Sequence, residues 1–214
     1  MTRSTQKEQP KHTEGSDSTV MKRIFATVQN VPPSTYAPRE DSLLMIEALS
    51  HMPLEGRNVL DVGTGSGILG LYCAMHNANV TASDIDHAAI KQVRRAAASL
   101  GVQLKLVVSN LFSKVPGRFS LILFNPPYLP SKDIEDRTVD GGPKGTFVVD
   151  RFLNDLPAHL EKRGQALLLL SSLNDPASVK RRHTRLTFSR LVTRPLFFEE
   201  LQVLRVRPRN DLPV

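Results

Sequence analysis

The sequence predicts an α/β protein with a seven-stranded, mostly parallel sheet, helices on both faces and an antiparallel last strand. Three observations carry this prediction. Short apolar runs bounded by turn residues alternate with helix-length segments. The first four runs each end in a polar residue or a glycine loop, on the rim where open α/β sheets bind ligands. The chain has 214 residues, 40% of them hydrophobic and 23% charged, which suits one domain with its own core.

Taken in order, residues 1–20 are polar, carry Pro10, Gly15 and several Ser and Thr, and show no apolar periodicity. They read as a disordered tail, leaving 21–214 as the domain. Ser42 to Leu49 is amphipathic and reads as a helix with a packing face. Glu40 and Asp41 either cap that helix or order the segment beside a ligand. Strands are expected at Asn58 to Val62, Asn79 to Ser83, Leu104 to Ser109 and Leu121 to Phe124. Helices fill the gaps at Ser66 to Met75 and at Ala88 to Leu100, where Gly101 is the stop signal. A helix from Thr146 to Leu160 follows, which Pro157 is placed to end early. Then come a strand at Ala166 to Ser171, a helix near Ala177 to His183, and strands at Leu186 to Val192 and Glu200 to Val206. Alternation of this kind builds a parallel sheet, and a last strand reached by a short turn is antiparallel.

Several function classes are disfavoured. The longest apolar run, Ala166 to Leu170, is far too short to span a membrane, and no basic-then-apolar segment opens the chain. The single cysteine, Cys73, cannot form an internal disulfide or build a zinc site alone, which suits a reducing, cytoplasmic setting. Cys73 lies in an apolar helical segment and reads as core. His12, His51, His76, His87, His159 and His183 show no ligand spacing, so no metal is expected. The net charge is +7. Between Lys180 and Arg209, nine basic residues face two acids, Glu199 and Glu200, and this stretch carries the whole excess. It is either a solvated basic face or a contact for RNA or the ribosome.

The strand ends bring polar side chains to one rim: Asp61, Asp84, Asn110 and Asn125. Burying such groups costs free energy unless something binds them. After Asp61 runs a glycine loop, Val62-Gly63-Thr64-Gly65-Ser66-Gly67. It lacks the sixth-position glycine of the dinucleotide fingerprint and the Gly-Lys-Ser/Thr of a P-loop, which disfavours NAD and ATP. Asp84 lies 23 residues past Asp61, the spacing at which an acid holds a ribose diol. The plainer role for Asp84 is to cap the following helix. The most specific element is Asn125-Pro126-Pro127-Tyr128. Two prolines fix an extended turn and leave the Asn125 and Pro126 carbonyls as acceptors. With the Asn125 side-chain oxygen they suit a planar NH2 group, and Tyr128 offers a ring to lie against it.

These segments resemble the class I S-adenosylmethionine (SAM) methyltransferases, with their Rossmann-like fold. Within that group the chain is similar to the HemK/PrmC family of protein-glutamine N5-methyltransferases, in the short release-factor type. The matching segments are Tyr36-Ala37-Pro38-Arg39-Glu40-Asp41-Ser42, the Asp61–Gly67 loop, Ser83-Asp84-Ile85-Asp86, Asn125–Tyr128 and Gly141-Gly142-Pro143-Lys144-Gly145. The resemblance implies SAM as cofactor and S-adenosyl-L-homocysteine as product. It places Ser42, Asp61, Gly63 and the neighbouring Thr64 and Gly65 at the methionine end of the cofactor. It places Asp84 on the ribose, and Asn110 with the Leu111 backbone on the adenine. Asn125, Pro126 and Tyr128 would form the catalytic set. Relatives usually carry Asp where Asn110 stands and Thr where Ser42 stands.

The function implied is methylation of the glutamine in the Gly-Gly-Gln loop of a peptide release factor. Alternatives are methylation of a nucleic-acid amino group, as in DNA or rRNA, methylation of a protein lysine, or SAM binding without catalysis. The resemblance also implies a small zinc-binding activator protein, which would add at the apolar face around Val102, Leu104 and Leu106. Residues 129–145 either close over a substrate peptide or merely connect.

Overall fold

The computed structural model describes residues 14–28, 37–127 and 146–209. The elements run α1 (Glu14–Val28), α2 (Glu40–Ser50), β1 (Asn58–Val62), α3 (Ile68–Met75), β2 (Asn79–Asp84), α4 (His87–Leu100), β3 (Lys105–Val108), β4 (Phe119–Phe124), α5 (Phe147–His159), β5 (Leu160–Ser171), α6 (Pro176–Arg182), β6 (Leu186–Pro195) and β7 (Glu200–Pro208). A short 3-10 turn, Ser172–Asn174, follows β5. The seven strands form one sheet in the order β3-β2-β1-β4-β5-β7-β6. β1 to β5 pair in parallel, and β7 runs antiparallel to both β5 and β6. The order reverses at β1, so β1 and its neighbour β4 diverge toward opposite edges. The crevice above such a switch point is where an open α/β sheet takes its ligand.

Period-two alternation sorts the core onto two faces. Leu121 and Leu123 of β4 point to the face covered by α1, α2 and α3, with Ile24, Leu44, Leu49 and Tyr72. Ile122 and Phe124 point to the other face, covered by α5 and α6, with Phe152, Leu156 and Val179. Burial of this many Leu, Ile, Val and Phe side chains, each contributing about 1.5–3 kcal/mol, offsets the chain entropy of ordering the domain. Cys73 is fully buried and burial pushes its thiol well up, so it is core.

Several boundaries differ from those the sequence predicts; β5 begins at Leu160 rather than Ala166, and β6 runs on to Pro195 rather than Val192. The tail drawn to residue 20 ends inside α1, which begins at Glu14. The reason is tertiary: Asp17 accepts from His76 Nε2 at 2.8 Å, and Ile24 and Val28 are fully buried. Residues 1–13 lie outside the described residues. In α5, Pro157 sits in the last turn and the helix continues to His159. Pro157 has no amide to donate to the Leu153 carbonyl four residues back, and the helix ends two residues later.

Candidate active site

The site is assembled from the carboxyl ends of β1, β2 and β4 and the first turn of α2. Asp61, in β1, is buried. Its Oδ2 accepts from the Thr64 hydroxyl at 2.6 Å and from the Gly70 amide at 2.9 Å. Burial pushes the Asp61 carboxyl up to about 7; the two hydrogen bonds oppose this and the charge of Asp84 adds to it. A Cβ at Gly70 would lie 3.1 Å from that same Oδ2, so a larger residue there would press the Asp61 carboxyl aside by a few tenths of an ångström.

The glycine loop turns back onto β2. The Thr64 amide donates to the Ser83 carbonyl and the Gly65 amide to Asp84 Oδ2, both at 2.9 Å. Gly67 ends the loop at φ +86°, where a Cβ would stand 2.7 Å from Val93. A left-handed turn and close contact together require glycine there. Asp84 also accepts the Asp86 amide on Oδ1 at 2.9 Å. Each of its oxygens keeps a lone pair for a ligand hydroxyl. The cap of α4 is Asp86, which accepts the Ala88 amide at 2.7 Å, so Asp84 is not the capping residue.

Asn125 follows β4 directly. Its Nδ2 donates to Asp41 Oδ2 at 3.0 Å, while its Oδ1 is buried without a partner. Asp41 is 1% exposed, and its Oδ1 accepts the Ser42 amide at 2.6 Å and the Ser42 hydroxyl at 3.3 Å. The residue at the N-cap of α2 is Arg39, and it makes no side-chain cap bond. Asp41 therefore does more than end a helix. A carboxylate oxygen only accepts, so Asn125 must turn its NH2 toward Asp41 and its oxygen away. An unpaired buried acceptor costs about 1–3 kcal/mol, and such groups gather where a ligand supplies the missing donor.

The remaining expected residues are placed less decisively. Ser42 is buried with its hydroxyl turned to Asp41. Asn110 is exposed, and Arg151 donates to its Oδ1 at 3.3 Å. Leu111 adopts a left-handed turn at φ +50°. Asn110 would have to release this exposed contact to read a base. Pro126 is buried and Pro127 exposed. Tyr36, Tyr128 and the Gly141–Gly145 segment lie outside the described residues.

The sequence model of the methyltransferase small-domain family matches residues 39–179. The chain belongs to this family. The matched span of this methyltransferase includes every element of the site above. A putative protein N5-glutamine methyltransferase of Methanocaldococcus jannaschii is 34% identical over 181 residues, covering 80% of this chain and 91% of the relative. Among solved structures, the Mtq2–Trm112 complex of E. cuniculi, responsible for methylation of the eRF1 translation termination factor, superposes with a TM-score of 0.67. It is 26% identical and covers 81% of this chain and 98% of that one. The T. thermophilus 16S rRNA N2 G1207 methyltransferase, in complex with AdoMet and guanosine, superposes with a TM-score of 0.66. At 24% identity over 83% of this chain and 45% of that one, it speaks to the fold.

Two site features of this methyltransferase escape a reading of the sequence. One is the Asp41–Asn125 contact, which joins residues 84 positions apart. The other is Gly70, and here a signal existed: a glycine within the apolar helical run Ile68-Leu69-Gly70-Leu71 costs about 1 kcal/mol against alanine and needs a reason. The basic stretch is partly spent on internal contacts. Arg182 pairs with Asp150 at 2.9 Å, Arg194 bridges Glu40 and Glu47, Arg207 donates to Gln165, and Arg209 to the Thr184 carbonyl. Among the described residues no group of His, Cys, Asp and Glu could hold a metal ion, and no helix is long and apolar enough to cross a membrane.

Proposed function

We propose that this methyltransferase transfers the methyl of SAM to the side-chain amide nitrogen of a glutamine, the one in the Gly-Gly-Gln loop of a peptide release factor. The observation that carries this reading is the buried, partnerless Oδ1 of Asn125, fixed in direction by Asp41. It accepts one N–H of a planar NH2 group, and the adjacent Pro126 carbonyl is the acceptor for the other. The N5-glutamine methyltransferase of M. jannaschii supports the choice of glutamine, and the eRF1-methylating complex of E. cuniculi the choice of a termination factor.

SAM, when bound, supplies a methyl on a positively charged sulfur and leaves as S-adenosyl-L-homocysteine. The residues present fit such a cation. The carboxyl groups of Asp61 and Asp84 act on each other and would be relieved by positive charge. Asp84 holds the ribose hydroxyls, and Asn110 with Leu111 borders the adenine. Ser42, Gly63, Thr64 and Gly65 line the methionine end with Asp61. An amide nitrogen is a poor nucleophile, so the work falls to orientation. Asn125 and Pro126 aim the nitrogen and strengthen their grip as it becomes positive.

One consequence concerns protons. Below about 7 Asp61 is protonated in the free protein. A cationic ligand favours its ionised form, so binding releases a proton, and affinity falls by at most about tenfold per pH unit below that value. Calorimetric titration of SAM near pH 6.5, in buffers of different ionisation enthalpy, should show that release. Heats that do not depend on the buffer would remove Asp61 from the cofactor site.

We extend the proposal to a small zinc-binding activator subunit; the E. cuniculi relative likewise stands in a complex with a second protein, Trm112. β3 is an edge of the sheet, and a groove of about 650 Å³ beside it is lined by Ala97, Val102, Leu104 and Leu106. Edge strands without cover invite pairing. Expressed alone, the protein should aggregate and be rescued by co-expression with such a subunit. A well-behaved, fully active monomer would contradict this.

The glutamine reading is tested with radiolabelled SAM and a cell extract divided into RNase-treated and protease-treated halves. Label in a protein of release-factor size that survives RNase supports it. Label that survives protease and is lost with RNase assigns the site to a nucleic-acid amino group, and the stretch from Lys180 to Arg209 to its docking.

A further inference from the structure

The large apolar side chains that remain exposed among the described residues are Ile85, Phe147, Leu173, Phe197 and Phe198. All five follow carboxyl ends of parallel strands or belong to segments packed there, on the side of the sheet that carries Asn125. Ile85 is next to Asp84 and belongs to the cofactor side. The other notable group is at the β6–β7 turn: Phe197 is 92% and Phe198 85% exposed, their rings meeting edge to face at 4.6 Å. No contact among the described residues accounts for two adjacent phenylalanines held in water.

The turn is rigidly placed. Phe124 pairs with Leu168, and β5 continues to Ser171, which pairs with Leu201. The turn thus stands about 10 Å beyond Asn125 along the strands and about 10 Å across them, at 3.3 Å per residue and 4.8 Å per strand. The Ser171 hydroxyl donates to Glu199, and the Glu200 amide donates to Ser172 Oγ at 3.0 Å. These bonds hold the 3-10 turn that carries Leu173, 48% exposed, against the start of β7. On the other flank Arg194 binds Glu40 at 3.1 Å and Glu47 at 2.6 Å. Glu40 precedes Asp41, so the turn is tied to the helix that orients Asn125.

The charge around the rings selects the partner. Arg39 and Arg194 are outnumbered by Glu40, Glu47, Glu199 and Glu200, so the patch is apolar with a border of net negative charge. Phosphates are repelled there. A protein surface with an apolar patch flanked by lysine or arginine fits.

We infer that Phe197 and Phe198, with Leu173, form the docking platform for the folded protein substrate, gripping an apolar, basic-bordered patch beside the loop that carries the methylated amide. This rests on the proposed glutamine activity. Binding energy from this remote contact holds the substrate while Asn125 positions the amide.

The test compares wild-type enzyme with a Phe197→Ser/Phe198→Ser variant, supplied with activator subunit if activity needs one, on an intact release factor and on a short Gly-Gly-Gln peptide. Both side chains lie in solvent, so the melting temperature should hold. The expected result is a KM for the intact factor raised about tenfold or more, as for loss of a paired aromatic anchor, with kcat and peptide methylation unchanged. A Glu200→Lys variant should weaken the intact factor further at low salt. Equal kinetics of variant and wild type on the intact factor would overturn the platform and leave the glutamine reading standing. If wild type methylates neither substrate, the glutamine reading falls and the platform with it. Loss of RNA binding in the variant would assign the rings to nucleic acid instead. A wild-type dimer that the variant makes monomeric would assign them to a second copy of this chain; both results overturn the proposal.

Discussion

Asn125→Ala should reduce methyl transfer by about a hundred- to a thousandfold, the loss of about 3–4 kcal/mol found when one preorganised catalytic hydrogen bond is removed. Cofactor affinity should stay within about tenfold, a difference of about 1.4 kcal/mol, because the cofactor contacts proposed for Asp61 and Asp84 lie on other strands. Removing Oδ1, which has no partner, costs no stability, but removing Nδ2 leaves the buried Asp41 carboxylate without a donor and should lower the melting temperature. Single-turnover kinetics with pre-bound SAM isolate the step. A variant with full transfer rate would mean that the amide is positioned elsewhere.

Asp41→Asn should produce the second largest effect. In the wild type an acceptor-only carboxylate dictates which way Asn125 faces. An asparagine at 41 can donate or accept, so the amide of Asn125 is free to present its NH2 to the substrate, where it repels the N–H it should accept. Losing a hydrogen bond to a charged group costs about 1.5–3 kcal/mol, or roughly 10- to 150-fold. That loss should appear in kcat, with cofactor affinity little changed. Asp41→Ala should lower kcat similarly and also lower the melting temperature, because it leaves the Asn125 NH2 buried and unpaired. A structural role alone would move the melting temperature in both variants and spare kcat in the folded enzyme. An Asp41→Asn enzyme with wild-type kcat would show that Asn125 needs no such holder.

The sheet was legible because its core strands obey one local rule. Asn58 to Val62 and Leu121 to Phe124 are short, apolar and bounded by turn residues, and they are buried on both faces, where parallel strands read as continuous hydrophobic runs. Gly101 marked the end of α4 because a left-handed C-cap at φ +73° favours glycine. The early residues of α1 were not legible. Their composition is that of a tail, and the helix stands there because Asp17 meets His76 and Ile24 meets the core. Such support comes from sequence positions 59 apart, which no local pattern reports. The site divides the same way. Asp61, Asp84 and Asn125 announced themselves as polar residues closing apolar strands. Asp41 carries no local sign of its partner, and the pair Phe197-Phe198 falls between the strands expected at Leu186 to Val192 and Glu200 to Val206, where nothing local marks it as exposed.

The most direct measurement is fragmentation mass spectrometry of a purified peptide release factor after incubation with this protein and SAM. The account predicts the mass of one methyl group on the glutamine of the Gly-Gly-Gln loop, absent with Asn125→Ala. A release factor left unmodified, or a methyl found on a lysine, while the same enzyme methylates RNA or another protein, would contradict it.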